Sequence, residues 1–312
     1  MELVRSLRNF SDATRGCVLT VGNYDGVHLG HRQMIHAVKR RAGELKLPAT
    51  VLVFEPSSKE FIDPEGAPAR LTRWREKFTA LAAEGVERLV TLRFNETMRE
   101  MSPECFVEQL LVQGLGARHV VVGDDFRYGR KACGTIDSLQ EAGRTRGFGV
   151  EQIEPFVLDG VRVSSTVVRE RLEHGDYAAA ARFLGRPYRM QGRVAHGREL
   201  GRTLGFPTAN LHLMRRKAPT WGVLAVRVYG LGAEVLDGVA SLGTRPTVNG
   251  IEPLLEVHVL DFSGDLYGRL IEVEFVAKLR DEAKFDSLDA LVSQMNIDAA
   301  QAREILSREQ SG

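Results

Sequence analysis

The sequence predicts a two-domain chain: an α/β half built on a parallel sheet, then an all-β half that closes as a small antiparallel barrel with a C-terminal helix. Three observations predict it. Short apolar runs alternate with amphipathic helical stretches through the first part of the chain. After Leu184-Gly185-Arg186-Pro187 the rhythm changes to strand runs separated by turn residues. The 312 residues also exceed one ordinary core, since domains cluster at roughly 100–150 residues. The expected domains are 1–185 and 186–312.

In the first half, residues 17–21, 50–54, 89–92 and 119–122 read as buried strands. Helical patterns lie between them. Met34, Ile35 and Val38 share a face after His31, and Phe78, Leu81 and Ala82 share one after Thr72. Ser102-Pro103-Glu104 joins a capping hydroxyl, a first-turn proline and an early acid, which marks a helix start. Strands alternating with helices imply crossover units and hence parallel pairing. The first half closes with a helix over 176–184 that ends at Gly185, and Pro187 prevents its continuation. In the second half strands follow at 222–229, 235–242, 254–262 and 270–279, with little helix among them. Ser287 caps a last helix carrying Leu288, Leu291 and Met295 on one face.

Composition excludes several classes of function. Hydrophobic residues make up 43% and charged residues 27%, as in ordinary globular proteins. A net charge of +1 and the lack of a basic recognition helix argue against a nucleic-acid partner. Cys17, Cys105 and Cys133 lie far apart, which suits a reducing compartment and disfavours a disulfide framework or a zinc site. No run approaches the roughly 18 apolar residues of a membrane helix, and the start lacks a signal-peptide core. The expectation is a cytoplasmic protein without a membrane partner.

The first candidate site is Val21-Gly22-Asn23-Tyr24-Asp25-Gly26-Val27-His28-Leu29-Gly30-His31, between the first strand and the first helix. Ligands of open α/β sheets bind outside the carboxyl ends of strands. Gly30 lets a phosphate approach the backbone, and free amides with the helix dipole favour an anion there. An arbitrary H-x-x-H is more often a surface pair, and it can also bind metal. Placement at this turn favours phosphate, and no third ligand follows at useful spacing.

Here the chain resembles the nucleotidyltransferase superfamily, whose H-x-G-H signature matches His28-Leu29-Gly30-His31. The resemblance implies a Rossmann-like nucleotide-binding domain that moves a nucleotide from its triphosphate to an acceptor. A second element, Ser164-Ser165-Thr166-Val167-Val168-Arg169, matches S-S-T-x-x-R. Ser165 or Thr166 caps a short helix, which accounts for the hydroxyls alone. It does not account for the flanking Arg162 and Arg169, which suit a triphosphate. The resemblance implies phosphate roles for His28, His31 and Arg169, with Gly22, Asn23, Asp25, Gly30, Arg162, Ser164, Ser165 and Thr166 around the ATP. Gly123-Asp124-Asp125-Phe126-Arg127-Tyr128-Gly129 and Ala67-Pro68-Ala69-Arg70-Leu71-Thr72 resemble the flavin-specific branch. Asp125, Phe126 and Tyr128 are then flavin-side residues, although core or loop packing explains the two aromatics equally well.

The second site is Gly197-Arg198-Glu199-Leu200-Gly201-Arg202-Thr203-Leu204-Gly205-Phe206-Pro207-Thr208-Ala209-Asn210. It is not a P-loop. Its glycines and arginines could fold over phosphates, and Pro207 favours an extended Phe206. Thr208 and Asn210 then project on one face. Two oxygen ligands beside a nucleotide suit Mg2+. The segment resembles the riboflavin kinase family, which implies that Thr208 and Asn210 bind Mg–ATP with Gly197, Arg202, Gly205 and Pro207. In Leu254-Leu255-Glu256-Val257-His258-Val259, Glu256 alone is more often a solvated strand residue. The resemblance makes it the base for riboflavin's 5′-hydroxyl, and places Arg280 and Phe285 on the flavin side.

Together the motifs resemble bifunctional bacterial riboflavin kinase/FAD synthetases over nearly the whole chain. The resemblance implies ATP, riboflavin and FMN as substrates, Mg2+ as cofactor and apo-flavoproteins as acceptors of FAD. Two places depart from the family: Phe54-Glu55-Pro56-Ser57-Ser58 often reads Phe-x-Pro-His-Pro, and Asp125 stands where Asn is also common. Alternatives are a chain with one working half and a flavin-binding regulator without turnover.

Overall fold

The computed structural model describes residues 1–6, 15–195, 205–247 and 250–308. Packing divides the chain into two compact units, Met1–Pro68 with Trp74–Ser164, and Ala69–Arg73 with Ser165–Gly312. Residues 165–185, read from sequence as the end of the first domain, pack with the second unit.

The first unit runs β1 (Glu2–Val4), β2 (Cys17–Val21), α1 (Leu29–Leu45), β3 (Ala49–Phe54), α2 (Ser58–Ile62), α3 (Trp74–Ala83), β4 (Arg88–Leu92) and α4 (Glu96–Arg99). Next come α5 (Pro103–Cys105), leading into a π-helical stretch at Phe106–Gly114, then β5 (Ala117–Gly123), α6 (Ile136–Arg146) and β6 (Gly149–Ile153). A small antiparallel hairpin, β7 (Val157–Leu158) and β8 (Val161–Arg162), follows. The main sheet is parallel, in the order β1-β4-β3-β2-β5-β6. Connections from β2 go first to β3 on one side and later reach β5 on the other, so β2 lies at the point where winding reverses. All five β2 residues are buried, which explains its unbroken apolar reading. Ser102 caps α5 as expected, accepting from the Cys105 amide at 3.2 Å.

The four expected strands are present. The two edge strands were not expected. β1 has only three residues, and β6 carries Glu151 and Gln152 without an apolar run. Neither carries the signal that central parallel strands do.

The second unit begins with α7 (Ser165–Glu173) and α8 (Tyr177–Leu184). Its strands are β9 (Arg189–Ala195), β10 (Ala209–His212), β11 (Gly222–Tyr229), β12 (Leu236–Thr247), β13 (Gly250–Val259) and β14 (Leu270–Arg280). They form a closed barrel in the order β10-β13-β12-β11-β14-β9, all antiparallel, and α9 (Leu288–Arg308) ends the described chain. Asp176 caps α8, and Gly185 ends it at φ 71°. The Ser287 hydroxyl accepts from the Ala290 amide at 3.1 Å, the cap expected for α9. Ala302 and Leu306 of α9 pack on Ala225 of β11. Along β13, Leu255 and Val257 are fully buried while Glu256 and His258 between them are partly exposed, so one face fills the barrel and the other meets solvent.

Cys17 begins β2 with no exposed surface, and burial pushes its thiol up to about 12. Only the thiolate reacts. Alkylation of the native protein at pH 8 should label Cys105 and Cys133 and spare Cys17 until denaturant is added, as peptide mass spectrometry would show.

Candidate functional site

In the first unit, the turn after β2 is tightly built. Tyr24 and Val27 are both nearly fully buried at positive φ, 49° and 45°, and Gly26 between them has φ 87°. A β-branched residue in the left-handed region is uncommon, and such outliers cluster where a loop must hold one shape. The Tyr24 hydroxyl meets the Thr20 hydroxyl at 2.7 Å in the interior, which anchors the turn to β2.

His28 occupies the N-cap position of α1, with extended backbone. Its Nδ1 accepts the His31 amide at 3.3 Å, so the imidazole does the work of a capping serine. An Nδ1 that accepts leaves the neutral ring's proton on Nε2. The rings of His28 and His31 stack, with centroids 3.6 Å apart and planes 17° from parallel, and Tyr24 lies 4.7 Å from His31 on a tilted plane.

Gly30 has a packing reason as well as the expected one. A Cβ there would stand 3.3 Å from the His28 ring and 3.4 Å from the Val163 carbonyl. The segment leading into Ser164 therefore reaches the histidine corner. Arg162, placed with the ATP by sequence, forks onto both oxygens of Asp124 at 2.7 and 2.8 Å and lies 3.4 Å from Asp125. A Cβ added to Gly123, at the end of β5, would stand 3.4 Å from the Asp125 carboxylate. The turn after β2, the loop after β5 and the segment after β8 thus meet within this unit. Gly22 is close-packed too, a Cβ there standing 3.2 Å from the Tyr24 ring, whereas Asn23 is exposed and Asp25 half-buried.

Of the two aromatics in the β5 loop, Tyr128 takes the packing alternative. It is buried, meets Ser138 at 3.0 Å and sits 5.2 Å from the Phe106 ring, and burial raises its phenol. Phe126 stacks on it at 5.7 Å. At the first family departure, Ser57 caps α2 in a capping box with Glu60, a local reason for serine there.

The remaining elements of the first motif set fall in the second unit. The helix α7 starts at Ser165, so Ser164 holds the capping position, one residue before the expected Ser165 or Thr166. Arg169, on α7, donates its Nε to the Ala69 carbonyl at 2.6 Å.

In the barrel, β10 pairs antiparallel with β13 so that Asn210 stands directly opposite Glu256. Side chains directly opposite share a face and lie about 4.5–5.5 Å apart at Cβ. Thr208, just before β10, alternates onto that face. His258, two residues from Glu256, donates Nδ1–H to the Pro207 carbonyl at 2.9 Å and meets Phe206 edge-on at 5.1 Å. His258 thereby clamps the P-T-A-N segment to β13. Gly205 has φ +83°. Gly197 and Arg202 lie outside the described residues. Arg280 and Phe285 come together, the guanidinium carbon 5.6 Å from the ring centre. Arg280 is gripped by Asp298 of α9, a partner that no local pattern announced.

The two corners differ chemically. The first gathers two stacked imidazoles at a helix N-terminus. The second sets a carboxylate beside hard oxygen donors.

Two family models match the chain, one described as FAD synthetase over residues 10–167 and one as riboflavin kinase over residues 184–306. The chain is 49% identical over 306 residues to a bifunctional riboflavin kinase/FMN adenylyltransferase of Pseudomonas fluorescens, covering 98% of each. It is 47% identical over 305 residues to the protein of that description from Escherichia coli (strain K12), covering 97% of each. A solved structure titled as a macrolide-efflux protein from Streptococcus pneumoniae shares the fold, with TM-score 0.80, 29% identity and coverage of 96% of this chain and 98% of that one. Among the described residues of this chain, no helix is long and apolar enough to cross a membrane.

Replacing His28 by Ala removes the cap and the stacked ring together. Loss of a cap costs about 0.5–2 kcal/mol. Urea denaturation should show a loss in that range for His28→Ala, and His28→Asn, which keeps a capping acceptor, should recover most of it.

Proposed function

The chain belongs to the bifunctional riboflavin kinase/FMN adenylyltransferase family, and from that premise we propose which residues run each of its two reactions. One reaction phosphorylates riboflavin to FMN; the other transfers AMP to FMN and gives FAD. ATP, riboflavin and FMN are the substrates these activities imply. The functional division lies at 185/186. The family matches end at 167 and resume at 184, which supports that boundary.

Phosphorylation runs on the outer face of the barrel. The observation that carries this reading is the register that sets Asn210 opposite Glu256. Glu256 accepts the proton of riboflavin's 5′-hydroxyl as that oxygen attacks the γ-phosphorus and ADP leaves. Thr208 and Asn210 are hard oxygen donors and fit Mg2+, which takes few protein ligands and keeps water and phosphate oxygens for the rest. The metal supplies neutralisation of phosphate charge. Gly205 and Pro207, with Gly197 and Arg202, hold the nucleotide. Arg280 and Phe285 take the flavin.

Adenylyl transfer uses the corner after β2. An FMN phosphate oxygen attacks the α-phosphorus of ATP, and pyrophosphate leaves. The nucleophile is already ionised, so the reaction needs donors and position rather than a base. His28 offers Nε2–H, His31 stacks against it, and the first amides of α1 favour an anion. Arg162, Arg169, Ser164, Ser165 and Thr166 serve the ATP by their motif, with Gly22, Asn23, Asp25 and Gly30 shaping the turn. Asp125 and Phe126 face the flavin, with Tyr128 backing Phe126. We place the reactions in the cytoplasm, with apo-flavoproteins as acceptors of the FAD.

Separate sites predict separable losses. His31→Ala should leave FMN formation near its normal rate and lower FAD formation by about 10²-fold or more, the scale of removing a preorganised donor. Glu256→Ala should lower riboflavin phosphorylation roughly 10²–10⁴-fold while FAD still forms from supplied FMN. Product separation after incubation with Mg–ATP and either flavin reads both. Loss of both activities from either change in a folded protein would overturn the division, and flavin binding without ATP consumption by the unaltered protein would favour a regulator.

A further inference from the structure

The loop after β14 is tied down at two points that the assigned roles do not use. At its root, Arg280 donates from Nε to both oxygens of Asp298, at 3.0 and 3.2 Å, and from Nη2 to one of them at 2.8 Å. The Asp298 side chain is only 3% exposed, and Gln294 donates to the same carboxylate at 2.9 Å. A two-pronged bond between guanidinium and carboxylate fixes direction as well as distance. The Arg280 backbone is fixed too. Gly222, at φ +116°, passes so close that a Cβ there would stand 2.5 Å from the Arg280 carbonyl.

At the loop's tip, the Ser241 hydroxyl donates to Glu282 Oε1 at 3.2 Å. Ser241 stands opposite Glu256 in the β12–β13 ladder. A Cβ on Gly243, two residues along β12 and hence on the same face, would collide with the Glu282 carboxylate. Asn210, Glu256 and Ser241 therefore form one row across β10, β13 and β12, and Glu282 lies over the end of that row.

We infer that Asp298 and Ser241 are positioning residues for the riboflavin end of phosphorylation: Asp298 aims Arg280, and Ser241 holds the 281–285 loop beside Glu256 through Glu282. The hydrogen bonds described above tie Asp298 to Arg280 and Gln294, and Ser241 to Glu282, on the flavin side of the site. Their loss therefore weakens capture and aim of riboflavin and spares the nucleotide. The inference rests on the flavin-side role of Arg280 and Phe285.

The test is steady-state kinetics of the full chain, varying riboflavin and ATP in turn, with FAD formation from FMN as an internal measure of folding. Asp298→Asn and Ser241→Ala should each raise the riboflavin KM about tenfold, the scale of one charge-assisted hydrogen bond. The ATP KM and FAD formation should stay within about twofold. Gly243→Ala should act like Ser241→Ala, since it displaces Glu282 and leaves the hydroxyl in place. Ser241→Thr should restore the parent value. If Asp298→Asn fails to fold, the Ser241 and Gly243 variants carry the test. Unchanged riboflavin KM in these variants, alongside a raised one in Arg280→Ala, would overturn the latch alone. An unchanged KM in Arg280→Ala would overturn the flavin-side reading and the latch with it. A parallel fall in both activities would mean a purely structural role and would also overturn it.

Discussion

The barrel's chemistry depends on strand register. Leu211, Leu255, Val257, Ala240 and Leu242 fill the interior, so each strand must present its other residues outward. That alternation leaves Asn210, Glu256 and Ser241 in one outward row. A slip of one residue would turn Glu256 into the apolar interior and bring Val257 or Leu255 out. Core packing thus constrains the site: the apolar burial that drives closure keeps Glu256 and Asn210 off the interior face, and the β10–β13 register sets them opposite each other.

In the first unit the constraint is topological. Parallel strands need crossovers, and where their direction reverses, loops diverge and leave a crevice beside the strand ends. β2 lies at that point, and α1 starts there. The helix must satisfy its first amides, and here an imidazole does so. Capping gives the His28 side chain a structural part in this corner. Nδ1 is committed to the backbone, which orients the ring and its stacked neighbour His31. Left-handed Tyr24 and Val27 hold the turn that delivers them.

Much of this was legible in the sequence because it is local. Buried parallel strands advertise themselves as continuous apolar runs, and the caps at Ser102, Asp176, Gly185 and Ser287 are near-neighbour chemistry. The H-x-G-H and P-T-A-N segments were equally visible. What was not legible depends on partners far along the chain. β6 pairs at an edge with a polar sequence, and Asp298 finds Arg280 only after α9 lies on the barrel. The ion pair of Arg162 with Asp124 joins residues 38 apart and appears only in the fold. From sequence Tyr128 suits flavin contact and packing equally, and its enclosure by Phe106 and Ser138 appears only in the fold. The 165–185 helices follow the first half in sequence yet pack with the second unit, because Tyr177 reaches Thr220 at 2.6 Å and Phe275 at 6.0 Å between ring centres. Burial at that contact pushes the Tyr177 phenol up to about 12.

The two halves solve different problems with the same nucleotide. A hydroxyl nucleophile must lose a proton, so its site needs a carboxylate with an unbroken line to the substrate oxygen. The role proposed for Glu256, fixed in its strand row, meets that need. A phosphate nucleophile is already ionised, and the difficulty is its repulsion from the triphosphate. A carboxylate would worsen that repulsion, whereas hydrogen-bond donors and the positive end of a helix dipole relieve it. The acid near the first corner, Asp124, is held in a fork by Arg162, which offsets its charge. On the proposed roles, the division of labour follows from the charge of each nucleophile: a base beside the neutral acceptor, donors and a helix start beside the anionic one.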